Sequence, residues 1–327
     1  MKKIISVVAL ILICSLFSVS NAEKSKINVG GWIVYWDAND GIEEWKKTQY
    51  GYDNISFFAA YFDEDKKLFI ADDFLEAIKR QPTRQRYFTV VNDIKKKDKV
   101  IFKDTEILKD VLNSKRKREK HAEEIITLTR KAGCKGIDLD YEKVFRDKEV
   151  TDLYLDFVKI LYDKAKAENL QLRIILEPSV DFKAYNFPHG PIYIVMLYNL
   201  YGTHSKNDGP KADFAFIEKV VDNMQYLPPK KGVAFSTGGC IWSDSANPKF
   251  ISATQAIALA KQYKKIPERK TDSDAMFFSY EDAKGIAHKV WYADKKTMSA
   301  WINKAEELGI ENVIIWRLGD NEAVYDF

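Results

Sequence analysis

Gly136-Ile137-Asp138-Leu139-Asp140-Tyr141-Glu142 sets three carboxylates at alternate positions of a strand-like run. Successive side chains of an extended chain point to opposite faces, so Asp138, Asp140 and Glu142 share one face while Leu139 and Tyr141 take the other. An exposed edge strand with a polar side would account for this pattern. That explanation requires an edge, so the neighbouring runs decide between it and a buried acidic face.

Seven comparable β-rich runs surround this one: Val29–Asp37, Asn54–Asp63, Arg86–Asn92, Gln171–Pro178, Ile192–Asn199, Lys231–Ser236 and Asn312–Arg317. Amphipathic stretches alternate with them, among them Phe74–Arg80, Ala122–Ala132, Thr151–Glu168, Ala212–Gln225 and Lys296–Leu308. Strands alternating with helices predict a parallel sheet with right-handed crossovers, and eight units predict an α/β fold of the (β/α)8 TIM-barrel type. A barrel has no open edge and its outer face lies under helices, so Leu139 and Tyr141 fill the outer layer and the acids point inward. Three like charges buried together are costly unless protons are shared, which argues for chemistry rather than architecture. Repulsion and burial raise a carboxyl's pKa, so one of the three can stay protonated near neutral pH and act as a general acid. Glu142 is nearest the strand's C-terminal end, where barrel active sites lie, and is the expected proton donor.

Composition sets the frame around this centre. Lys2 and Lys3, the apolar run Ile4–Val19 and the small or polar Ser20, Asn21 and Ala22 read as a signal peptide over residues 1–22, cleaved after Ala22. Ile13 before Cys14 argues against lipidation. Residues 23–327 then suffice for one catalytic barrel domain. The formal net charge of +3 drops further when Lys2 and Lys3 leave, so no global field favours nucleic acid or an anionic membrane. No stable membrane span is expected, and the protein is read as a secreted, periplasmic or cell-envelope monomer. The stretch between the seventh and eighth strands is long enough for a small α+β rim insertion at 266–293. Helix is expected at Ala253–Lys264, with strands Ala275–Tyr280 and Ala287–Tyr292 joined by a turn. Cys134 falls near the barrel bottom and Cys240 near its top, too far apart to bridge. His121, His189, His204 and His288 lack metal-ligand spacing, so neither a metal nor another cofactor is expected. Gly30-Gly31 and Gly238-Gly239 read as turn glycines.

The run Gly136–Glu142 resembles the strand-four signature of family-18 glycoside hydrolases, the chitinase-like enzymes, in which Asp-Gly-x-Asp-x-Asp-x-Glu ends in the catalytic acid. Lys135 departs from that pattern at its leading Asp. Met196-Leu197-Tyr198-Asn199 is similar to the strand-six motif Met-x-Tyr-Asp, with Asn199 in place of the Asp. Trp316 matches the Trp that floors the sugar site, and the segment from His288 through Gly319 resembles the terminal region of bacterial spore-cortex and cell-wall members. The resemblance implies a polysaccharide or oligosaccharide substrate containing β-1,4-linked N-acetylglucosamine, of chitin or peptidoglycan type. It also implies a retaining mechanism in which the substrate's own acetamido group is the nucleophile. Glu142 would then be the acid, Asp140 would orient the amide, Asp138 would hold a proton and tune Asp140, and Tyr198 would donate to the acetamido oxygen. Met196, Asn199 and Trp316 would contact substrate. An endo-β-N-acetylglucosaminidase of N-glycans and a non-catalytic carbohydrate-binding barrel are the alternatives.

Other residues are read without the resemblance. Trp36 and Tyr61 are expected to line the cleft, and Trp32 less so. Trp291 is expected to be structural, and Glu177 to act as a salt-bridged support or a substrate contact. Of two basic runs, Lys115–Lys120 reads as a solvated helix face. Lys95–Lys99 follows strand three onto the catalytic rim, where an anionic polymer could meet it.

Overall fold

The computed structural model describes residues 27–48, 52–82 and 85–319. The signal-like segment, Cys14 and residues 23–26 lie outside them. Eight parallel strands form the barrel: β1 (Asn28–Val34), β2 (Asn54–Phe62), β3 (Gln85–Lys95), β4 (Gly136–Asp140), β5 (Gln171–Leu176), β6 (Ile192–Met196), β7 (Lys231–Ser236) and β8 (Asn312–Trp316). Each pairs with its neighbours in chain order, and the ring closes through β8–β1 and β2–β3. The barrel expectation and all eight of its strands are therefore met. Strand ends differ: β1 stops at Val34, and Tyr35–Asp37 turns into a short 3-10 segment.

The period-two logic explains the layers. Ile137, Leu139 and Tyr141 face outward into the main apolar core between strands and helices, together with Phe88, Ile174, Tyr154 and Phe157. Inside, Trp32, Ile175, Ile194, Met196, Ala234 and Ile314 form a separate apolar plug. The barrel interior is thus filled rather than hollow, as small barrels require. Helices Asp72–Lys79, Lys115–Lys131, Lys148–Ala167, Phe214–Asn223 and Lys295–Glu307 cover the outside at the places expected. Between β5 and β6 the described chain offers only the 3-10 turn Phe182–Ala184. His121 is buried in this outer core, with Nε2 2.6 Å from the Tyr141 hydroxyl and its ring stacked on Phe62.

The rim insertion is larger than residues 266–293. Its five-stranded antiparallel sheet runs in the order Ala246–Ile251, Gly238–Ser243, Ala287–Ala293, Met276–Glu281, Glu268–Arg269, so it begins immediately after β7. The hairpin Gly238–Ile251 escapes a sequence reading because its second strand, Ala246–Ile251, faces mostly solvent and lacks apolar alternation. Helix Ala253–Gln262 packs Ala253, Ala256 and Ala260 against Phe278, Tyr280, Val290 and Tyr292, giving the insertion a core of its own. Neither glycine pair lies in a turn. Gly30 and Gly31 belong to β1, and Gly239 is required by close approach, since a Cβ there would sit 1.7 Å from the Trp291 carbonyl oxygen. Cys134 and Cys240 are both free and buried. No helix among the described residues is long and apolar enough to cross a membrane.

Candidate active site

The three acids of the β4 run point inward as expected, but their surroundings differ sharply. Asp138 is fully buried and accepts from Arg173 Nε at 2.6 Å, Arg173 Nη2 at 2.9 Å, Trp32 Nε1 at 3.0 Å and Thr89 Oγ1 at 3.3 Å. Arg173 lies directly beside it in register on β5. The guanidinium also donates to Asn54 and Ser56 and stacks 3.4 Å over the Tyr87 ring. Asp138 thus sits beneath the site, ion-paired with Arg173.

Asp140 and Glu142 occupy the opposite regime. Asp140 is buried, and its Oδ1 has no hydrogen-bond partner among the described residues. Burial, reinforced by the charge of Glu142, pushes its carboxyl well above the usual carboxylate range. Glu142 lies just past the end of β4, where Asn92 of β3 clamps its backbone: Glu142 N donates to Asn92 Oδ1 at 3.0 Å and Asn92 Nδ2 donates to Glu142 O at 3.1 Å. Burial raises its carboxyl too; the ammonium of Lys103 opposes that rise, while Glu177 and Asp93 add to it. Lys103 forms an ion pair with Glu142, and its backbone N–H donates to Asp93 Oδ1 at 2.8 Å. Replacing Lys103 with Met removes the cation that restrains Glu142. The acid's pKa should then rise further, and the alkaline limb of a kcat/KM–pH profile should move to higher pH; an unmoved limb would show that Lys103 does not act on the acid.

Asp140 and Glu142 open into a cavity of about 440 Å³ at the C-terminal end of the barrel. Trp36, Met196, Tyr198, Asn199 and Trp316 line it. Trp36 stands 53% exposed at the rim, and both Asp140 and Glu142 act on the Tyr198 hydroxyl, whose pKa burial already raises. Tyr61 does not line the cavity. It is buried behind Tyr35, with ring centroids 5.4 Å apart and its hydroxyl accepting from Lys95 Nζ at 3.3 Å. The register of β2 shifts after Phe58, so alternation counted from its start does not reach Tyr61. Tyr35 and Phe58 line the cavity instead, in an edge-on series Tyr35–Trp36–Phe58–Trp316–Trp32 with centroid spacings of 4.9, 5.6, 5.2 and 5.9 Å.

Sequence reasoning also missed Lys103, Asp93, Phe102 and Phe250, all in the same lining. Phe102 and Lys103 follow a short antiparallel hairpin of β3 with Val100–Ile101, and Phe250 comes from the overlooked rim hairpin. Trp32 lies below the cavity floor, tied to Asp138. Glu177 is a support: its carboxylate accepts from Lys143 N at 2.8 Å and Arg146 Nη2 at 3.3 Å. Trp291 is structural, donating to Asp208 Oδ2 at 2.8 Å. Lys115–Lys120 forms the first turns of a helix and pairs outward with Glu119 and Asp156, whereas Lys95–Lys99 makes the tip of the β3 hairpin on the cavity side.

A closed (β/α)8 barrel with an inward carboxylate series, a buried tyrosine and an aromatic floor defines the class of barrel glycosidases. The chain belongs to Glycosyl hydrolases family 18, whose model it matches over residues 31–321. It is 25% identical over 261 residues to a "Cortical fragment-lytic enzyme" of Bacillus subtilis, covering 73% of this chain and 59% of that protein. It is 25% identical over 228 residues to the "Putative sporulation-specific glycosylase YdhD" of the same organism, covering 65% of this chain and 54% of that protein. The chain thus spans little more than half the length of these curated relatives. Among solved structures, the Bacillus cereus spore cortex-lytic enzyme SleL superposes with a TM-score of 0.78 at 17% identity, covering 90% of this chain and 71% of that one. A chitinase from Chromobacterium violaceum gives 0.77 at 15%, covering 91% and 96%. At such identities the structural likeness speaks for the fold.

Proposed function

We propose that the protein hydrolyses β-1,4-linked N-acetylglucosamine glycans of cell-wall or chitin type, outside the cytoplasm, by a substrate-assisted retaining mechanism. The observation that carries this reading is the Asp140–Glu142 pair at the mouth of a barrel, beside Tyr198 and the Trp316 floor: burial raises both carboxyls, with the charge of Glu142 adding to the rise at Asp140 and those of Glu177 and Asp93 to the rise at Glu142. Glu142 protonates the leaving glycosidic oxygen. The 2-acetamido carbonyl of the same sugar attacks the anomeric carbon as the C–O bond breaks, giving a cyclic oxazolinium cation. Asp140 orients the acetamido N–H and offsets the developing charge, and Tyr198 donates to the acetamido oxygen. Glu142, now ionised, takes a proton from the water that opens the ring, which restores the acid and retains the anomeric configuration. Asp138 touches no substrate and acts only by fixing the charge below Asp140. Asn199 supplies hydrogen bonds where an Asp would add a further negative charge.

Release of a fluorescent aglycone from N-acetylchitobiose and N-acetylchitotriose tests this reading. The sign of the pH response follows from the acid: Glu142 must be protonated, and burial extends its protonated range upward. The ratio kcat/KM should therefore fall as pH rises through that raised pKa. A profile flat across the neutral range would contradict Glu142 as the acid, and sugar binding without turnover would favour a lectin.

A further inference from the structure

A second cavity, of about 520 Å³, adjoins the first and shares Trp36, Phe250 and Trp316 with it. Lys211 reaches this cavity from the loop after β6. Its side chain is buried, the residue being only 8% exposed, and its Nζ sits 4.6 Å over the ring of Phe250. No carboxylate pairs with it among the described residues. We propose that this cavity is a subsite for a carboxylate-bearing sugar adjoining the reacting N-acetylglucosamine, with the Lys211 ammonium as counter-ion to the carboxylate. The ligand class is a 3-O-lactyl N-acetylhexosamine, the muramyl unit that alternates with N-acetylglucosamine in bacterial wall glycan. This inference rests on the glycosidase reading above.

A buried ammonium without an anionic partner is unfavourable by its lost hydration, and an arriving anion recovers that loss where a neutral sugar hydroxyl does not. Burial lowers the Lys211 pKa, and the titratable group close enough to oppose this is the Cys240 thiol, itself raised by burial and so neutral. Two carboxylates line the same cavity, Asp37 and Asp40; Asp37 is ion-paired with Arg317, and neither forms an ion pair with Lys211. Ser252 and Gln255, at the start of helix Ala253–Gln262, bring the partly positive end of that helix to the same lining. Phe250, 68% exposed, offers a ring face to a sugar beside the cation. In intact wall glycan a stem peptide caps the lactyl carboxylate as an amide. The subsite therefore favours glycan already freed of its stems, and the class of reaction that supplies such a substrate is amide hydrolysis at the lactyl group.

The test compares turnover of chitotetraose with that of the alternating N-acetylglucosamine–N-acetylmuramic acid tetrasaccharide, for the parent and for Lys211→Met. The ratio of kcat/KM for the muramyl over the chitin-type substrate should fall about 10-fold or more in the variant, the loss of one charge-assisted hydrogen bond. An unchanged ratio overturns the subsite. On the parent alone, converting the lactyl carboxylates to carboxamides should weaken turnover by a similar factor; equal rates for acid and amide overturn the subsite however the variant folds. A parent that cleaves neither tetrasaccharide overturns the glycosidase reading, and the subsite with it.

Discussion

Glu142→Gln should lower kcat roughly 10²- to 10⁴-fold on a chitobiose or chitotriose aglycone substrate while leaving sugar binding in place. The amide keeps the size of the acid and can still accept from Lys103, but it cannot deliver a proton to the leaving oxygen. The backbone at Glu142 is clamped by the Asn92 side-chain amide through two hydrogen bonds that the substitution leaves untouched. Thermal unfolding should accordingly change little. Loss of activity together with loss of fold would not identify an acid, so the diagnostic result is a folded, sugar-binding protein that does not turn over. Retention of more than a tenth of the parent kcat would mean that another group supplies the proton.

The second large effect concerns stability. Removing one partner of a buried ion pair strands the other charge, at a cost of about 3–5 kcal/mol. Arg173→Met should destabilise the protein by that order in urea unfolding, because Asp138 would lose two of its four donors in a fully buried place. The double variant Asp138→Asn/Arg173→Met removes both charges and should be clearly more stable than the sum of the two single effects. Strict additivity would mean that the pair is not coupled, and that Asp138 is stabilised by Trp32 and Thr89 alone. Activity should fall in Arg173→Met as well, since a displaced Asp138 no longer fixes the field beneath Asp140.

These two centres mark what the sequence discloses and what it withholds. The alternation of acids with Leu139 and Tyr141 is a local signal, and the face it predicts is the face observed. Arg173 stands in plain view in Gln-Leu-Arg-Ile-Ile-Leu, yet its meaning depends on register: only when β4 and β5 pair Asp138 with Arg173 does the arginine neutralise one of the three charges. Three unpaired acids were expected, whereas the fold pairs Asp138 with Arg173 and Glu142 with Lys103. Lys103 and Phe102 were hidden for a related reason, since they leave the barrel on a hairpin whose return strand, Val100–Ile101, is too short to announce itself. Tyr61 was misplaced because a register shift breaks the period of two that the reading relied on. Trp36, Met196, Tyr198, Asn199 and Trp316 reach the cavity because each lies near the end of a regular strand, where period and position coincide.

The rim insertion leaves and rejoins the barrel at residues that face each other, Gly238 opposite Ala293 in antiparallel register. Its apolar contacts close largely on themselves, yet its hairpin contributes Phe250 to both cavities. A segment with adjacent attachment points, an independent interior and one finger in the groove behaves as an exchangeable cassette. Substitutions in the hairpin that carries Phe250 should change what the groove accepts while the catalytic strands beneath stay as they are.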